Sequence, residues 1–162
     1  MPAEILVVCY SRTGKTRTLA QELAARLKAD FREIIDAKDR AGMINYVLAG
    51  RDAAKELRTD ISGADCDTAA YKIIVAGTPV WAWNMTPAVR TWLENNKGKL
   101  SKAAFFTSAA SSGHERTLCR MEEVSGVKAC CSESFSDAEH KKPQELAAKL
   151  DAFAQRIRQE LQ

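Results

Sequence analysis

The chain has 162 residues, of which 46% are hydrophobic and 28% charged, enough apolar content for one domain (1–162) with a full core and too much for disorder. Its 24 basic and 21 acidic residues leave a net charge of +3 with no Lys/Arg block, which argues against a nucleic-acid partner. No run approaches the ~18 consecutive apolar residues of a membrane span, and because a strand opens almost at once, no basic-plus-apolar leader is expected.

Ile5–Tyr10 is an unbroken apolar run, the mark of a strand buried on both faces. The spacing of Leu19, Ala20, Leu23, Ala24 and Leu27 predicts a helix over 15–28. Phe31–Ile35 reads as a short second strand. Residues 38–62 are the least regular stretch: Ile44, Val47, Leu48, Ala54 and Leu57 suggest a helical segment broken at Gly42 and Gly50. Tyr71–Gly77 is the next strand, followed by a Pro- and Trp-rich loop over 78–86 and a helix from Pro87, a residue suited to a first helical turn. Lys102–Ser108 is the fourth strand, 109–113 a small-residue loop, His114–Val124 a helix, Val127–Phe135 the fifth strand, and Pro143 opens a last helix carrying Leu146, Leu150, Phe153, Ile157 and Leu161. Strands and helices in alternation imply a doubly wound α/β fold, a parallel sheet with helices on both faces.

Ligands of such sheets bind beyond the carboxyl ends of the strands, which directs attention to three loops. In the first, Ser11, Arg12, Thr13, Gly14, Lys15 and Thr16 combine three hydroxyls with backbone donors at a helix start, a device that binds anions. An ordinary helix cap accounts for one hydroxyl but not three. The Gly14-Lys15-Thr16 ending suggests a nucleotide P-loop, but the glycine required five positions earlier is Cys9, inside the strand. The loop is too short to wrap a diphosphate and suits a terminal monophosphate. In the second loop, Trp81 and Trp83 stand between Pro79 and Pro87, an arrangement that favours stacking on a flat aromatic ligand. The third, Ser108, Ala109, Ala110, Ser111, Ser112 and Gly113, is small enough to let backbone polar groups approach a ligand edge. A planar heteroaromatic ring on a chain ending in a monophosphate, as in FMN, satisfies all three.

These residues carry a family resemblance. Tyr10-Ser-Arg-Thr-Gly-Lys-Thr16 resembles the flavodoxin phosphate loop, and Gly77-Thr-Pro-Val-Trp81 with Asn84-Met-Thr-Pro87 is similar to the second loop of that family. The resemblance implies a five-stranded parallel sheet of order 2-1-3-4-5 with FMN at its switch point. It also implies that residues 11–16 hold the phosphate, that Thr78, Pro79, Val80, Trp81, Ala82, Trp83 and Asn84 line the ribityl chain and ring, and that 108–113 bound the ring's other side. Three departures from electron-carrier flavodoxins stand out: a net positive charge, a third loop without an aromatic or acidic residue, and Ser11 directly after Tyr10. Two functions therefore stay open, an electron-transfer flavoprotein serving redox partner proteins, and an FMN-dependent NAD(P)H/quinone oxidoreductase using a small acceptor. A flavin-free binding module is a third class, and a hydrolase built on Ser111 or Ser112 with His114 lacks the G-x-S-x-G elbow.

The five cysteines show no CxxC pair and no zinc spacing, so no metal is expected, and their odd number suits reduced thiols in a cytoplasm. Cys130 and Cys131, adjacent on a strand, are expected to point to opposite faces and to serve packing.

Overall fold

A computed structural model describes residues 2–162. In chain order the elements are β1 (Ile5–Cys9), α1 (Lys15–Leu27), β2 (Asp30–Glu33), β3 (Ile35–Asp36), α2 (Met43–Ala54), β4 (Ile61–Ser62), β5 (Ile73–Trp81), β6 (Asn84–Met85), α3 (Pro87–Asn95), β7 (Ala103–Ala109), α4 (His114–Ser125), β8 (Ala129–Ser136), α5 (Asp137–His140) and α6 (Pro143–Gln159). A short 3-10 turn over Thr68–Ala70 precedes β5. The main sheet runs β2-β1-β5-β7-β8, all parallel. Counting only these five strands, the order is the expected 2-1-3-4-5.

Continuous apolar strands require cover on both faces, and alternate residues supply two cores. Val7, Val75 and Phe106 face α1 and α6 through Leu19, Leu23, Phe153 and Ile157. Val8, Ile74 and Phe105 face α3 and α4 through Val89, Trp92, Leu93 and Met121. In the first core Phe106, Phe135 and Phe153 meet edge to face, with centroids 6.2–6.4 Å apart.

Four sequence expectations are corrected. Residues 78–81 are not loop: β5 continues to Trp81 and turns back through β6, so the Trp-rich stretch is a hairpin. Residues 43–54 form one helix, with Gly42 as its N-cap and Gly50 inside it. The second strand stops at Glu33, and Ile35–Asp36 pairs antiparallel with β4 as a separate small sheet. The fifth strand starts at Ala129 and carries a bulge near its beginning.

The register aligns the strand ends that matter. Cys9 lies opposite Gly77, and Gly77 opposite Phe106, so the chain leaves β1, β5 and β7 side by side. Gly77 is required by contact: a Cβ there would lie 2.0 Å from Phe106 Cζ. Phe106 is itself fixed by the two other rings. Gly77→Ala should therefore cost about 1–3 kcal/mol or more through overpacking, seen as a lower urea midpoint with an unchanged slope.

Candidate functional site

At the first loop, Gly14 adopts φ 99° as the N-cap of α1 and supplies no side-chain cap. The Ser11 hydroxyl accepts from the Gly14 N–H at 3.0 Å and so shapes the loop. The backbone N–H groups of Arg12, Thr13, Lys15 and Thr16 donate to no group among the described residues, and no acidic side chain stands in the first helical turn. Thr16 is 2% exposed, yet its hydroxyl has no hydrogen-bond partner among the described residues, whereas Thr13 is exposed. A ring of spare donors at a helix start, one of them nearly buried, matches what an anionic oxygen cluster requires.

The two cations of this loop are occupied elsewhere. Arg12 Nε donates to the Arg40 carbonyl at 2.7 Å, and its guanidinium lies over the Tyr46 ring at 5.2 Å. Lys15 Nζ pairs with Asp137 at 3.0 Å. Asp137 belongs to α5, which the sequence reading left unassigned. The Ser136-x-x-Glu139 capping box that starts α5 was its available signal.

The second segment is built as a tight hairpin. Val80 pairs with Met85 and Trp81 with Asn84, leaving Ala82 and Trp83 as the two-residue turn at φ 49° and 60°. Left-handed backbone costs a non-glycine residue roughly 1–2 kcal/mol, and such turns normally use Asn-Gly. Buried Met85 and the N-cap Thr86 anchor one arm, with the Thr86 N–H donating to Thr78 Oγ1 at 3.2 Å. Strain held in place by packing, at a turn that exposes 58% of Trp83, is characteristic of a functional segment. Trp81 is half-buried, with Tyr10 edge-on at 5.6 Å and the Arg40 guanidinium 5.9 Å from its ring centre.

Not every expected residue faces the opening. Thr78 spends its hydroxyl on the Pro79 carbonyl at 2.8 Å. Asn84 is buried, and its side-chain oxygen accepts from the Met85 N–H at 2.9 Å and from Arg90 at 3.2 Å. Val80, Ala82 and Trp83 do come together with Ala109, Ala110, Ser111 and Ser112 around an open cavity of about 200 Å³. Gly113, at φ 88°, lets the third loop touch the hairpin: a Cβ would stand 2.8 Å from Trp83 Cδ1. His114 Nδ1 bonds Thr107 Oγ1 at 2.7 Å, not Ser111 or Ser112, so no serine–histidine pair forms.

A second cavity, about 240 Å³, lies on the other side of the hairpin between Val80, Trp81, Ala82 and the α2 residues Tyr46, Val47, Ala49 and Gly50. No charged side chain lines it. Helix α2 buries small or acidic residues, Ala49, Asp52 and Ala53, while Met43, Ile44, Tyr46 and Val47 stay exposed. Ile44 and Val47, two of the apolar residues whose spacing suggests this helix, lie on its exposed face. A larger opening of about 540 Å³ near β4 and α3 has its cations engaged: Lys38 lies 3.6 Å from Asp52, and Arg58 lies 3.0 Å from Glu94.

What holds α2 beside the site is a buried ion cluster. Arg40 reaches Asp36 at 2.9 Å and Asp52 at 2.8 Å, and Arg51 meets Asp52 at 2.9 Å. Burial alone would push the Asp52 carboxyl up, but hydrogen bonds from Arg40 and Arg51 outweigh it and bring the group down to about 2. A depressed carboxyl stabilises the fold above its unfolded value and loses that contribution as pH falls through the folded one, here between about 4 and 2. Asp52→Asn should lose about 2 kcal/mol at neutral pH and show a flatter acid limb in urea melts taken from pH 7 down. Equal acid sensitivity in both proteins would show that the cluster is not the source.

The profile of the flavodoxin family matches residues 4–128. The fold resembles a flavoprotein from Lactobacillus acidophilus NCFM solved in complex with FMN, at 20% identity over 86% of this chain and 97% of that one, with a TM-score of 0.73. It also resembles an NADH:FMN oxidoreductase at 16% identity over 98% and 90% of the chains, TM-score 0.58. Oxidised flavodoxin 2 from Bacillus cereus matches at 17% identity over 98% and 99%, again with TM-score 0.58. At such identities the structures speak for the fold, and it is the profile, spanning most of the sequence, that decides membership: this chain belongs to the flavodoxin family.

Proposed function

We propose that the chain binds FMN across its three loops and acts in electron transfer. The observation that carries this reading is the set of unengaged backbone donors at Arg12, Thr13, Lys15 and Thr16 beside the apolar hairpin and small-residue loop. Backbone N–H groups and the Ser11, Thr13 and Thr16 hydroxyls would take the phosphate, Ser11 also shaping the loop by accepting from the Gly14 N–H. Val80, Ala82 and Trp83 would flank the ring opposite Ala109–Ser112. FMN supplies one- or two-electron chemistry when bound. The chain's part is to grip the phosphate, hold the ring against the hairpin and limit water around it. The free cysteines support a reducing compartment such as the cytoplasm.

A second reading, an oxidoreductase acting on a small flat acceptor such as a quinone, is favoured by the uncharged cavity between Trp81 and α2. Gly50 opens that cavity: a Cβ there would meet nothing within 4 Å. Holoprotein reduced with dithionite and freed of excess reductant should pass its electrons to an added redox protein or to benzoquinone. Retention of the electrons in the presence of both would contradict electron transfer. Steady oxidation of NADPH with benzoquinone by the protein alone would establish the enzyme, whereas flavin reduction only through a separate reductase would leave a carrier. If the cavity seats the acceptor, Gly50→Leu should slow reoxidation by benzoquinone several-fold with FMN affinity unchanged.

A further inference from the structure

Neighbouring residues of a regular strand present their side chains to opposite faces, and that expectation fails at Cys130 and Cys131. Ala103 pairs with Ala129 and Ala104 with Cys131, so Cys130 is an extra residue, a β-bulge. The bulge brings the two Sγ atoms to 3.9 Å. Both thiols border the core shared by α1, α6 and the sheet. Both residues are half-buried, on a strand at the edge of the main sheet, where a small molecule can reach them.

We propose that Cys130 and Cys131 form a vicinal dithiol site for thiophilic trivalent arsenicals. Sulfur ligands select soft partners, and this pair offers two sulfurs and little else. Among the described residues no three His, Cys, Asp or Glu side chains are grouped to hold a metal ion, so the four ligands of a structural zinc are missing. An arsenical that brings its own carbon substituent needs only two. A direct disulfide fits poorly: Cα atoms across a trans peptide are about 3.8 Å apart, below the roughly 4.4–6.8 Å usual for disulfides. An interposed atom bridges the sulfurs without that contraction.

The chemistry balances without an oxidant. A monosubstituted arsenoxide condenses with the two thiols: two As–S bonds form, the As–O linkage breaks, and both S–H protons leave with the oxygen as one water. No electrons are transferred. Burial raises both thiols, Cys131 to about 12. They are therefore protonated at neutral pH and slow to oxidise, and the uncharged dithioarsenite product suits a site beside an apolar core.

The test uses the full-length folded protein and phenylarsine oxide as probe. In excess glutathione, a monothiol, the protein should keep one equivalent by intact mass. Two thiols should disappear from its thiol count, and dithiothreitol should reverse both changes. Tryptic digestion should place the adduct on residues 129–141, which contain no other cysteine, a result independent of any variant. Cys130→Ser and Cys131→Ser should each lose the glutathione-resistant adduct, while Cys119→Ser, at an exposed position, should keep it. An adduct that glutathione strips from the wild type, that maps to Cys9, Cys66 or Cys119, or that survives Cys131→Ser would overturn the assignment.

Discussion

The first N–H groups of any α-helix lack partners within the helix, and in α1 nothing among the described residues replaces them. Gly14 caps without a side chain, the Ser11 oxygen accepts from Gly14 and leaves its own O–H free, and the nearby cations are drawn off to Tyr46 and Asp137. The start of α1 is therefore a set of unsatisfied donors, electropositive through backbone rather than side-chain charge. The rest of the site depends on where the parallel register puts it. Because β1 and β5 pair directly while β2 and β7 lie to either side, the start of α1 lies at the switch point. The hairpin and third loop rise beside it.

Two costs sustain that arrangement. Ala82 and Trp83 occupy left-handed backbone that neither residue favours, held by Met85, Thr86 and the contact with Gly113. Charges in the Arg40–Asp36–Asp52 cluster are buried to keep α2 close to Trp81. Buried ion pairs add little net stability but are costly to break. Their consequence here is positional: they leave a helix with its large apolar residues outward beside an uncharged cavity. A structure built only for stability would turn Ile44 and Val47 inward.

The sequence made the sheet legible because strands buried on both faces, such as Ile5–Cys9 and Ile73–Ala76, read as apolar runs. It also marked the first loop, where closely spaced hydroxyls precede a helix and the backbone donors are left unengaged. The hairpin was not legible, because Ala82-Trp83 carries none of the glycine or asparagine that announces such a turn. Gly50 looked like a helix break and is helical, on a surface where its missing side chain opens space instead. Ile44 and Val47 followed helical spacing, yet periodicity cannot say which face a buried ion cluster will turn inward. The bulge at Cys130 left no mark, since it arises from pairing with β7 rather than from any local residue preference.

The central claim is that backbone donors and the Thr16 hydroxyl, rather than cationic side chains, grip a terminal monophosphate. Calorimetric titration of the apoprotein with FMN and with riboflavin, repeated on Thr16→Val and Lys15→Gln, tests it most directly. FMN should bind far more tightly than riboflavin. A hydrogen bond to a charged group contributes about 1.5–3 kcal/mol, so Thr16→Val should weaken FMN roughly 10- to 150-fold and leave riboflavin unchanged. Lys15→Gln should cost little, and less at high salt. Equal affinity for the two flavins, or a Lys15→Gln loss far exceeding that of Thr16→Val, would contradict the account.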